Sequence, residues 1–97
     1  MKSLAKAILA LKTEAEVENF LRDLCTPGEI KDFNERWVIA QLLDGGDLSY
    51  RQIADKAAAS ITTVTRVARF LKDEPYCGYA LVLKRINKAA HGTHHRA

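Results

Sequence analysis

Between residues 49 and 72 two short amphipathic segments follow one another across a break of three residues, Ala58-Ala59-Ser60. Nothing else in the chain restricts the fold as much, because helices joined so tightly must pack on each other through a few small or branched side chains. Ser49-Tyr50-Arg51-Gln52 opens the first. Its apolar positions are Ile53, Ala54 and Ala57. Ser60 caps the second, which spans 61 to about 72 and stops at Asp73-Glu74-Pro75. The spacing predicts that Ile53 and Ala57 meet Val64 and Val67, that Ala54 allows close approach, and that Ala59 and Ile61 bury the turn. This is the helix-turn-helix plan. The turn has Ala58 where glycine is usual, and positive φ at a non-glycine residue costs on the order of 1 kcal/mol.

The rest of the chain also reads as short helices. Leu4, Ile8, Leu9 and Leu11 mark a first helix. Thr13-Glu14-Ala15-Glu16 fits a capping box, and Val17, Phe20, Leu21 and Leu24 form the stripe of a second helix. Thr26-Pro27-Gly28-Glu29 starts a third, running to about Leu43, and Gly45-Gly46 ends it. A last helix is expected over about 76–87, with Tyr79, Val82, Leu83 and Ile86 on one side. The fold class is all-α, with six short helices. One domain over 1–90 is expected, then a loose basic tail over 91–97 holding His91, His94 and His95.

Composition narrows the function. The chain has 97 residues, which leaves little room for both a substrate cleft and a core. It shows no nucleophile–base pair, no paired catalytic carboxylates, no phosphate-binding glycine loop and no metal-ligand cluster, so no enzyme, cofactor or metal is expected. Cys25 and Cys77 lie far apart and read as thiols of a reducing cytoplasm. No apolar run approaches the ~18 residues of a membrane span, and no secretory signal is expected. Charge is asymmetric. Residues 1–50 carry six Lys/Arg against nine Asp/Glu, and residues 51–97 carry nine against three. Such a basic half suits a polyanion.

The reading head would lie at the start of the fifth helix. Thr62, Thr63, Thr65 and Arg66 face outward there on helical spacing, and Ile61 joins them in the expected DNA-contact set. Threonine can contact bases or phosphates and offer its methyl to thymine, and arginine can grip phosphate or guanine. Arg51, at the start of the preceding helix, can reach a flanking base or phosphate. Tyr50, Ala54, Arg69 and Lys72 complete the expected DNA-contact set.

The residues in this order resemble the Trp repressor superfamily. The resemblance runs without gaps from Thr26-Pro27 to Pro75, about half of the chain. It includes Thr26-Pro27-x-Glu29, Arg36, Leu42-Leu43, Gly46, Ser49, Arg51, Ile61, Thr63, Thr65-Arg66, Leu71-Lys72 and Pro75. Ala7-Ile8-Leu9-Ala10-Leu11-Lys12, Asp23-Leu24-Cys25-Thr26 and Thr63-Val64-Thr65-Arg66-Val67 resemble its small YerC/YecD branch and extend coverage to most of the chain. The resemblance implies an intertwined homodimer whose two helix-turn-helix heads enter successive major grooves of a pseudo-palindromic operator.

It also implies a corepressor pocket at Thr26, Arg36 and Arg66. Here the sequence departs from the family pattern, with Val67 where the glycine stands and Phe70 where the serine stands. Each adds volume to a close-fitted site, at typically about 1–3 kcal/mol per insertion. Val67 and Phe70 are therefore expected to fill a vestigial pocket and hold the reading head without ligand. The function expected is a cytoplasmic DNA-binding regulator, a repressor acting on double-stranded DNA as a homodimer, with no membrane partner, no small-molecule effector and no tryptophan corepressor. The alternatives are control by tryptophan or another ligand, and a helical protein-interaction module.

Overall fold

A computed structural model describes the backbone of residues 1–96 and the side chains of residues 1–88. Six helices follow in order, α1 (Leu4–Leu9), α2 (Glu14–Leu24), α3 (Pro27–Gly45), α4 (Tyr50–Ala57), α5 (Ile61–Lys72) and α6 (Gly78–Arg96), with no strand among the described residues. The fold is all-helical.

The chain divides into two compact units, residues 1–33 and 34–97. In the first, local capping sets the helix starts. Ser3 caps α1, accepting from the Lys6 amide at 3.2 Å. Thr13 caps α2, accepting from the Glu16 amide at 3.1 Å. The Glu16 carboxylate returns to the Lys12 amide at 2.8 Å, one residue earlier than a closed box would place it. The box at α3 does close: the Thr26 hydroxyl accepts from the Glu29 amide at 3.1 Å, and the Glu29 carboxylate accepts from the Thr26 amide at 2.8 Å. Neither α1 nor α2 buries a residue, and Leu4, Ile8, Leu9, Val17, Leu24 and Phe33 are exposed.

The second unit has the core. Ile39, Ala40 and Leu43 of α3 join Ile53 and Ala54 of α4 and Val64, Val67 and Ala68 of α5 in one buried cluster. Trp37, Leu48, Ala57, Ala59, Leu71 and Tyr79 pack against it. The contacts expected of Ile53, Ala54, Val64 and Val67 are thus those that hold α4 on α5. Helix α3 ends at Gly45 and is followed by Gly46, whose φ of +76° is left-handed and whose amide donates to the Leu43 carbonyl at 3.2 Å. Asn87 of α6 donates to the Asp44 carboxylate near that end at 3.1 Å.

Helix α6 differs from expectation at both ends. It starts at Gly78 because Cys77 has φ +59°, which places Tyr76 and Cys77 in the turn. Its backbone continues past residue 87 to Arg96. The side chains of the expected basic tail, 91–97, lie outside the described residues. Both cysteines are free, Cys25 half-buried and Cys77 exposed.

Candidate nucleic-acid interface

The helix-turn-helix of α4 and α5 is built by three local devices. The first is the capping box at α4. The Ser49 hydroxyl accepts from the Gln52 amide at 3.2 Å, and the Gln52 side chain accepts from the Ser49 amide at 2.8 Å. This fixes where α4 begins and so where Tyr50 and Arg51 project. Both are exposed.

The second device is the turn. Ala58 has φ +53° and ψ +42°, the left-handed conformation expected of this position. The Ala59 amide donates to the Ala54 carbonyl at 2.9 Å and the Ala58 amide to Asp55 at 3.3 Å, the paired bonds of a Schellman end. Ala59 is half-buried beneath the turn, whereas Ile61 is 46% exposed and does not bury it. The turn is short enough that one alanine seals it, which leaves the first residue of α5 outside.

The third device is the cap of α5. The Ser60 hydroxyl accepts from the Thr63 amide at 3.1 Å and shares a hydrogen bond with the Thr63 hydroxyl at 3.0 Å. Thr63 is therefore half-buried in the cap rather than free on the surface. The Thr65 hydroxyl donates to the Ile61 carbonyl at 3.0 Å, so it keeps only its lone pairs and its methyl for an outside partner. Ile61, Thr62, Thr65, Arg66, Arg69 and Lys72 are all exposed on α5.

Two expected site residues are buried in the core. Ala54 is 5% exposed and part of the core, because it lies where α4 crosses α5, so it is not available to DNA. Val67 is fully buried on the inner face of α5, within the core cluster. Thr26 caps α3 in the N-terminal unit.

Phe70 forms a wall of an open cleft. Arg36, Trp37, Arg66, Phe70, Tyr76, Gly78, Tyr79 and Val82 line a cavity of about 550 Å³. Phe70 takes part of the wall beside the two arginines, and the cleft stays open there. The cleft combines two guanidinium groups with four aromatic side chains, a lining that suits a flat ligand bearing an anionic group. Sequence reasoning missed Trp37, Tyr76, Tyr79 and Val82. The aromatic residues flanking the α5–α6 turn were the available signal, but no spacing rule brings Trp37 to them.

Phe70 also organises the outer surface. The Arg66 guanidinium lies 4.8 Å from the ring centroid and that of Arg69 lies 4.9 Å from it. Arg69 pairs with Glu74 at 3.7 Å, so the Asp73-Glu74 end is more than a solvated stop. Among the described residues no group of His, Cys, Asp and Glu could hold a metal ion, and no helix is long and apolar enough to cross a membrane.

The sequence matches the Trp repressor protein family over residues 1–87. The chain belongs to the Trp repressor family. That family is one of DNA-binding transcription regulators. The protein YerC of Bacillus subtilis (strain 168) is 37% identical over 88 residues, covering 91% of this chain and 83% of YerC. A Trp operon repressor homolog of Chlamydia trachomatis serovar L2 is 38% identical over 71 residues, covering 69% of this chain and 76% of the homolog. In structure the chain is similar to a TrpR-like protein from Eubacterium eligens ATCC 27750, with a TM-score of 0.80 and 37% identity over 87% of this chain and 84% of that one. As a Trp repressor family member it carries the helix-turn-helix of α4 and α5 on the core of its larger unit.

Proposed function

We propose that this Trp repressor family member is a cytoplasmic, sequence-specific DNA-binding regulator that acts as a homodimer and represses by occluding promoter DNA. One observation carries the reading. On α5 the inner positions Val64, Val67 and Ala68 are buried, while Ile61, Thr62, Thr65, Arg66, Arg69 and Lys72 face outward from a capped N-terminus. A helix of this kind fits a major groove. Threonine methyl groups and Ile61 offer apolar contact to thymine, Arg66 reads guanine or grips phosphate, and Lys72 sits on the backbone. Arg51 and Tyr50 flank it from the start of α4. No covalent step is involved, and the protein acts by occupying its site.

The homodimer is supported by the first unit. Helices of six and eleven residues are marginal alone, and their apolar side chains are exposed within one chain. A second copy is the partner that covers them and pairs two reading heads for a two-fold operator.

The expected mode is binding without tryptophan, since the bulk of Phe70 replaces the family's serine at the cleft wall. A second reading, control by a small ligand, is favoured by the cleft of about 550 Å³ that stays open beside Arg36 and Arg66. Fluorescence anisotropy with duplex DNA across a salt series tests the main reading. Affinity should fall steeply with salt, and Arg66→Ala should weaken binding far more than Lys31→Ala. Equal effects of the two substitutions would refute this placement of the reading head. Calorimetric titration with tryptophan tests the second: micromolar binding would establish it, and absence of heat would leave the ligand-free mode.

A further inference from the structure

We propose that Phe70 is a positioning residue, whose ring presets the guanidinium groups of Arg66 and Arg69 as a pair for the phosphate backbone of a DNA duplex. The proposal rests on the DNA-binding reading above.

The starting point is that packing does not demand an aromatic side chain at this position. Val67, Ala68 and Leu71 supply what α5 gives to the core, and Phe70 is not among the core residues. It is half-buried at the edge of the open cleft. What it does contact is charge. Both guanidinium carbons lie within 5 Å of its ring centroid, inside the ~6 Å over which a cation is attracted to an aromatic face. Arg66 and Phe70 are four residues apart on α5, so helix geometry brings them together without help from the rest of the fold.

Two cations gathered on one ring repel each other, and only one has an acidic partner. Glu74 pairs with Arg69 at 3.7 Å, while no carboxylate among the described residues pairs with Arg66. The cluster therefore keeps an excess of positive charge at a fixed place on the outward side of α5. A phosphodiester is its chemical complement. A guanidinium held over a ring face by cation–π attraction has five N–H donors, and those turned away from the ring stay free for phosphate oxygens. A side chain already held in place also loses less rotamer freedom when it binds. The ring thus does for the two arginines what a bound ligand would otherwise have to do.

The test compares wild type with Phe70→Leu, Phe70→Tyr and a variant carrying pentafluorophenylalanine at position 70. The last keeps the shape of the ring but reverses its electrostatic face. Each is titrated against a fluorescein-labelled random-sequence duplex at several salt concentrations, with thermal unfolding measured alongside. Phe70→Leu and the fluorinated ring should each bind about three- to tenfold more weakly, the loss expected from one or two exposed cation–π contacts. Phe70→Tyr should stay within about twofold of wild type, because its ring face is retained. Wild-type affinity in the fluorinated variant would overturn the role of the ring and leave the DNA-binding reading standing. Failure of the wild type itself to show salt-dependent duplex binding would overturn both.

Discussion

At Ala58 the chain holds an alanine in left-handed backbone, φ +53°, between the two helices of the reading head. The cost of that conformation offers a direct check. Ala58→Gly removes it at the expense of a more flexible unfolded chain, so a net gain of roughly 0.5–1 kcal/mol is expected in urea unfolding. Glu74 offers a second. Its pair with Arg69 is partly exposed, and such pairs contribute about 0–1 kcal/mol. Glu74→Gln should leave the melting temperature nearly unchanged yet tighten DNA binding, because it removes an anion that competes with phosphate for Arg69. Anisotropy and thermal unfolding on the same sample separate the two effects. Single residues were unevenly legible in the sequence. Ala58 was readable because a three-residue break forces one positive φ. Ile61 was not, because an apolar residue beside a turn reads as buried when in fact Ala59 alone closes it. Thr63 was read as a free surface group, but a hydroxyl three residues after an N-cap serine can be drawn into the cap, as it is here.

The starts of α2, α3 and α5 were read from their caps, because a hydroxyl at the helix start satisfies amides locally. The α6 boundary was missed for the opposite reason. Its start depends on left-handed Cys77, and no sequence rule predicts that conformation for cysteine. At α5, Ser60 fixes both the helix start and Thr63. Ser60→Ala should cost about 1 kcal/mol of stability, the usual loss for an N-cap. It should also lower DNA affinity by loosening the first turn of α5, and hydrogen exchange at the amides of Thr62 and Thr63 should rise. Unchanged exchange would show that the cap does not hold this turn.

For the whole molecule, the two units behave as different problems. The second has its own core, and Ile53 and Val64 are fully buried in it. Ile53→Ala should cost about 2–5 kcal/mol in chemical denaturation, whereas Ile61→Ala, on the outside, should cost little stability and reduce DNA affinity. The first unit buries no residue and leaves Leu4, Ile8, Leu9, Val17 and Leu24 exposed, so its folding is expected to depend on concentration. Leu24→Glu should yield a monomer by sedimentation, with reduced helical signal in circular dichroism. Patterning within α4 and α5 revealed the second unit because its contacts are close in sequence. The cleft stayed hidden because it joins α3 to the α5–α6 turn, and periodicity within one helix says nothing about such a meeting.

Selection of bound sequences from random duplex DNA, with purified protein and no added small molecule, tests the central claim most directly. A dimeric reader that needs no ligand should recover a pseudo-palindrome whose half-sites lie about one helical turn apart. Recovery of no enriched sequence, or of one only when tryptophan is added, would contradict the claim.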